Sequence, residues 1–271
     1  MNDMPKIGFG TWKLKNTADT TQIIESAISC GYRMFDTASA YMNEESIGLA
    51  IKNTQCDRDD MFISGKLWNA DRDNVRQACL NTIQNLGCEY LDLYLMHWPA
   101  SKAVHDDWID INNRVWKQME ELIEEGLVKH IGVSNFKANQ LEELLKESTV
   151  KPFVNQVEIH PGFMQKSIID YCKQNGILVQ AWSPLGSGRL LKKDEIKILS
   201  EKYFKSPAQI CLRWCIQNDL VPIVKSKNSE RMASNLDIFD FELSVEDMKY
   251  LDNLPYLCSS GLDSETLTLF G

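Results

Sequence analysis

Apolar residues in this chain gather in short runs that alternate with longer stretches of mixed polarity along its whole length. The runs "KIGFG" (6–10), "RMFDTA" (33–38), "MFISGK" (61–66), "YLDLYLMH" (90–97), "KHIGVSN" (129–135), "PFVNQVEI" (152–159), "ILVQAWS" (177–183) and "VPIVKS" (221–226) have strand length, and several are apolar on both faces. That pattern belongs to parallel strands covered by helices. The stretches between them carry helical spacing with recognisable ends. Ile23, Ile24, Ala27 and Ile28 form one stripe, and Gly31 can stop the helix that bears it. Ser206 followed by Pro207 reads as a cap and a first helical residue, and Ser244 with Asp247 reads as a capping box. Eight strands, each followed by at least one helix, predict an α/β fold, a (β/α)8 or TIM barrel. No Pro/Gly/Ser-rich linker divides the chain, so residues 1–271 are expected to form a single domain.

A barrel of this kind carries its chemistry at the C-terminal ends of the strands and in the loops that follow. The polar residues that interrupt the apolar runs fall there: Asp36, Lys66, His97, Asn135, Gln156, Ser183 and Lys225. Each has an ordinary reading alone. His97 resembles a histidine closing a strand, Asp36 and Lys66 a structural ion pair, and Tyr41 a surface tyrosine. Seven such residues at one rim instead predict a site.

Composition narrows the possibilities. With 271 residues and 44% hydrophobic content, the chain can bury a sizeable core. Its net charge of -9 and pI near 5.1 argue against a nucleic-acid or anionic-membrane partner. The opening "MNDMPKIGFG" lacks the apolar stretch of a secretory leader, and no apolar run is long enough to cross a bilayer. Eight scattered cysteines without a C-x-x-C pair suggest reduced thiols and a cytoplasmic location. Cys211 and Cys215 share a helix face and are expected to pack in the core, while four dispersed histidines give no zinc pattern.

The segments "GFGTW", "FDTASAY", "SGKLWN", "LYLMHWP", "IGVSNF", "VNQVEIHP", "AWSPLGSG" and "VKSKNSERMASN" resemble, in order, the signature segments of the aldo-keto reductases. The likeness runs from about residue 4 to residue 254, and "AWSPLG" is most similar to bacterial and protozoan members acting on small dicarbonyls and aldehydes. The resemblance implies a catalytic tetrad of Asp36, Tyr41, Lys66 and His97. Elementary electrostatics agrees with that transfer. A lysine at a rim partly excluded from water needs a carboxylate to hold its proton, and Asp36 on the next strand supplies one. The charge on Lys66 is expected to lower the phenol of Tyr41 from its usual ~10, making it a proton donor to a carbonyl oxygen as hydride arrives. His97 would bond and orient the same oxygen.

No G-x-G-x-x-G follows a strand, so a two-lobed dinucleotide fold is not expected. The resemblance instead implies NADPH/NADP lying across the barrel mouth. Ser134, Asn135 and Gln156 would hold the carboxamide, Trp182 would stack on the nicotinamide, and Thr11 and Trp12 would line the same cleft. Ser183, Leu185 and Ser187 would wrap the pyrophosphate, largely through backbone donors. Lys225, Ser226, Asn228 and Arg231 would bind the 2'-phosphate at a helix start, where anions are favoured. Asn235 would face the adenine. Val224, where proline is common, is expected to loosen this loop, and Ser234 replaces a frequent glutamate.

Trp12, Trp68 and Trp98, with Tyr41 and His97, would enclose a small uncharged carbonyl substrate, and Trp108 in the loop after the fourth strand either closes over it or packs locally. Only "MND" precedes Met4-Pro5, so the barrel floor is expected to be covered by side chains from strand starts rather than by a hairpin of the first residues. A monomer with a small-molecule substrate and no nucleic-acid or membrane partner is the expected organisation. Two other readings use the same fold: a non-catalytic NADPH-binding regulator, and a Schiff-base enzyme built on Lys66.

Overall fold

The computed structural model describes residues 4–54 and 56–266. Eight parallel strands close into a barrel in sequence order: β1 (Gly8–Gly10), β2 (Met34–Asp36), β3 (Phe62–Leu67), β4 (Leu91–Met96), β5 (Val128–Ser134), β6 (Val154–Glu158), β7 (Leu178–Trp182) and β8 (Leu220–Val224). Each predicted run overlaps its strand; β3 continues one residue past its run, to Leu67, and β5 and β8 begin one residue before theirs, at Val128 and Leu220. The helices α1 (Ala18–Cys30), α2 (Glu44–Asn53), α3 (Val75–Leu86), α4 (Trp108–Glu124), α5 (Ala138–Glu147) and α6 (Lys166–Gln174) follow β1 to β6 singly. Two follow β7, α7 (Asp194–Tyr203) and α8 (Pro207–Gln217), and two follow β8, α9 (Ser229–Leu236) and α10 (Val245–Asp252).

Most of the apolar core lies between the strands and the helix ring, where Ile24, Ala27 and Ile28 of α1 are buried and Ile23 packs at its margin. Gly31 ends α1 at φ 109°, a conformation that glycine adopts without penalty. A second, smaller cluster fills the lower barrel: Met4, Met34, Phe62, Leu93, Leu95, Val154 and Ile223, with Phe153, Leu178 and Val221 against it. Met4 and the strand starts therefore close the floor with side chains, as expected; residues 1–3 lie outside the described residues.

The helix-end signals divide. Ser206 caps α8 and Gln209 reaches back to it, completing a box that serine and glutamine can both serve. At α10 the Ser244 hydroxyl does accept from Asp247, but the box does not close. The backbone N–H of Ser244 donates to the Tyr203 hydroxyl, and the Asp247 carboxylate is taken by Lys202 and Tyr203. Trp108, placed in a loop by the sequence, is the first residue of α4. Cys211 and Cys215 are buried and unpaired, and no group of metal-binding side chains occurs among the described residues. Among those residues, too, no helix is long and apolar enough to cross a membrane.

Candidate active site

Parallel register sets the height of each rim residue. Asp36 lies opposite Ser64, and Lys66 stands two residues farther along β3, beside Leu95. The pair therefore meets diagonally, which the long lysine stem permits. Lys66 has no exposed surface. Its ammonium donates to Asp36 Oδ2 at 2.6 Å, to the Thr37 carbonyl at 2.9 Å and to Tyr41 Oη at 3.4 Å, matching its three protons with three acceptors. Burial works against this charge, but Asp36 and Tyr41 outweigh it and raise the lysine pKa, so Lys66 stays protonated.

Tyr41 ends a 3-10 turn, Ser39–Tyr41, between β2 and α2. The expectation of a lowered phenol pKa is corrected here. Burial raises it above 10.0, and the lowering by Lys66, itself opposed by Asp36, does not make up the difference. His97 follows β4, is 8% exposed, and sets its ring edge-on to Tyr41 at 5.5 Å and to Trp68 at 5.3 Å. Burial, then Lys66, hold its pKa well below 6.5, so the imidazole is neutral. Its Nδ1 has no hydrogen-bond partner among the described residues.

Behind this group the donors are already committed. Ser134 Oγ donates to the Gln156 carbonyl, and Asn135 Nδ2 donates to the His97 carbonyl and to Ser134 Oγ. Asn135 holds φ 64°, tolerable for asparagine, and its Oδ1 accepts from Trp182 Nε1 at 2.9 Å. Gln156 Nε2 donates to Asp36 Oδ1 and to Gln180 Oε1, both at 2.8 Å. Toward a ligand these residues can offer mainly acceptors. Thr11, expected at the cofactor, is fully buried and donates its hydroxyl to the Asp36 carbonyl.

The "SPLGS" loop is tightly wound. Ser183, Gly186, Ser187 and Gly188 all have positive φ, winding the loop on itself. The N–H groups of Gly186, Ser187, Gly188 and Arg189 bond within it. Its outward polar groups are the paired hydroxyls of Ser183 and Ser187, 3.0 Å apart, beside half-buried Leu185. Non-glycine residues in this region carry strain on the order of 1–3 kcal/mol each, a feature common at ligand sites.

At the far side, Lys225 donates to the Trp12 carbonyl at 2.7 Å, tying the β8 loop to the β1 loop. Asn228 caps α9 through the N–H of Arg231, and the Ser226 hydroxyl bonds the Asn228 carbonyl. Lys13 lies over the Trp12 ring at 4.1 Å. Burial, Lys227 and Lys13 push the Lys225 pKa down, the signature of crowded positive charge. Among the described residues no carboxylate forms an ion pair with Lys13, Lys225, Lys227 or Arg231. The cluster thus suits a polyanion. Val224 is buried in β8 and Ser234 is half-buried. Asn235, expected at the adenine, is buried beside the Tyr32 hydroxyl. Of the three proposed pocket indoles, Trp12 is 49% exposed, Trp68 half-buried and Trp98 almost covered.

Gln180 and Glu158 are among the buried polar residues that escaped the sequence reading. Gln180 sits inside β7, and Glu158 ends β6, where it accepts from the N–H and hydroxyl of Ser260 and so fastens the C-terminal segment to the rim. In both cases a polar residue inside an apolar run was the available signal.

The description "Aldo/keto reductase family" matches residues 6–255. The chain belongs to this family. Glyoxal reductase of Bacillus subtilis (strain 168) is 44% identical over 93% of this chain and 89% of that protein. The 9,11-endoperoxide prostaglandin H2 reductase of Trypanosoma cruzi (strain CL Brener) is 41% identical over 93% and 88%. The crystal structure of MGS-M4, an aldo-keto reductase from a deep-sea metagenome library, superposes with a TM-score of 0.91 at 37% identity, covering 97% of this chain and 96% of that one. Aldo-keto reductases generally use nicotinamide cofactors, and the family together with these reductases makes the chain an oxidoreductase.

Proposed function

We propose that this aldo-keto reductase reduces small aldehydes and dicarbonyls to alcohols with NADPH, with Tyr41 as the general acid. The observation that carries the reading is the fully buried Lys66 with three acceptors, one of them the Tyr41 hydroxyl. A lysine so bound is a poor Schiff-base nucleophile, because that role needs a neutral amine. As a fixed cation it favours the phenolate that forms when Tyr41 gives up its proton, and its hydrogen bond holds the hydroxyl in place. NADPH, when bound, supplies the hydride. His97 and Tyr41 would bond the substrate oxygen, with Trp68 against His97 limiting size. Gln156 Oε1 would accept from the carboxamide, since its nitrogen is engaged elsewhere. Lys225, Arg231 and Asn228 would meet the 2'-phosphate, a group carrying about -1.5 to -2 charges by analogy with phosphoserine. One charge-assisted contact contributes roughly 1.5–3 kcal/mol, enough for about a tenfold or larger preference for NADPH over NADH.

The reading is tested by following cofactor oxidation at the nicotinamide absorbance with methylglyoxal, phenylglyoxal and benzaldehydes. We expect turnover with NADPH at least about tenfold more efficient than with NADH. Equal use of both cofactors would overturn the phosphate assignment, and turnover with neither would overturn the function.

A further inference from the structure

Resting on the reductase reading above, we infer that Gln180 is a positioning residue that fixes the amide of Gln156 and, through it, the carboxylate of Asp36. Asp36 Oδ2 is taken by Lys66, and Oδ1 lies 2.8 Å from the Gln156 side chain. An ionised carboxylate only accepts, so the Gln156 atom facing it must be the NH2 nitrogen. That nitrogen has a second hydrogen, and the atom 2.8 Å away on Gln180 must then be its carbonyl oxygen. Gln180 is left with its own NH2, which points to the sulfurs of Met4 at 3.2 Å and Met34 at 3.7 Å. Each orientation follows from the one before, and the chain ends on weak acceptors that do not compete for it.

The topology gives this chain its reach. Gln156 and Gln180 are register partners on β6 and β7. Asp36 is on β2, on the opposite wall of the closed barrel from β6. Gln156, Gln180 and Asp36 are all 4% exposed or less, so water is poorly placed to substitute for any link. The charged and titratable groups facing Asp36 are Lys66 from β3 and Tyr41 from the turn after β2, with His97 from the end of β4 against Tyr41. A donor aligned on Oδ1 withdraws charge from Asp36. Without it, Asp36 acts more strongly on Lys66 and on Tyr41, making the phenol a weaker acid.

The test compares unmodified protein with Gln180→Met, which keeps the volume and removes the strong acceptor. We expect kcat with NADPH and methylglyoxal to fall about five- to tenfold, the worth of one good hydrogen bond. The KM for methylglyoxal should change less than kcat, and the alkaline limb of kcat should move to higher pH. A role in packing alone would lower thermal stability and leave that limb where it was, and such a result would overturn the inference. Should Gln180→Met fail to fold, side-chain amide exchange by NMR in the unmodified protein decides the matter. The Gln156 NH2 protons should both be protected, and their exchange at solvent-exposed rates would equally overturn it. That measurement needs no turnover, so it separates failure of this inference from failure of the reductase reading, which a catalytically silent unmodified protein would reveal.

Discussion

Lys66 is the residue on which the site turns, because an ammonium with no exposed surface persists only while its acceptors do. Its partners also decide the chemistry of Tyr41, whose phenol is raised by burial and drawn back by Lys66. The sign of the pH dependence follows. A proton donor acts only while protonated, so reduction is lost as pH rises through the phenol pKa. Lys66→Met removes the lowering influence, so the alkaline limb should move to still higher pH while the rate at neutral pH drops by about 10² or more. An alkaline limb displaced downward in Lys66→Met would contradict the assigned field. His97 enters as a neutral ring, which donates from one nitrogen and accepts at the other, and therefore orients an oxygen without contributing charge.

Among the elements, the loops after β1 and β2 are joined by one side chain. Asn43, fully buried, accepts from the Thr37 hydroxyl and donates to the carbonyls of Thr11 and Leu14, each at 2.9 Å. It thereby fixes the turn bearing Tyr41 against the loop bearing Trp12. Asn43→Ala would strand these groups at a cost of about 2–4 kcal/mol, since each orphaned buried group costs ~1–3 kcal/mol. For a chain of this size that corresponds to a midpoint lowered by roughly 4–12 °C in thermal unfolding. An unchanged midpoint would contradict the bridging role. Asn43 gave no sequence signal beyond its place before α2, because its partners are backbone carbonyls on another loop.

Taken as a whole molecule, the barrel was legible in the alternation of apolar runs and helical stretches, and the rim was legible because polar residues close strands that are otherwise apolar. Asp36, Lys66 and His97 could be named from that rule combined with family resemblance. What could not be read was the direction of hydrogen bonds. Gln156 reaches across the barrel from β6 to β2, Thr11 turns its hydroxyl to Asp36, and Lys225 reaches the Trp12 carbonyl, all through contacts distant in sequence. The "SPLGS" donors turned inward because of a run of positive φ that residue types alone do not dictate. The central claim is that these contacts prepare the Tyr41 hydroxyl to give its proton to a carbonyl oxygen, and Tyr41→Phe tests it most directly. Removing one oxygen should lower kcat for methylglyoxal reduction by at least about 10²-fold while the dissociation constant for NADPH stays within about twofold. Near-normal turnover in Tyr41→Phe would contradict the account.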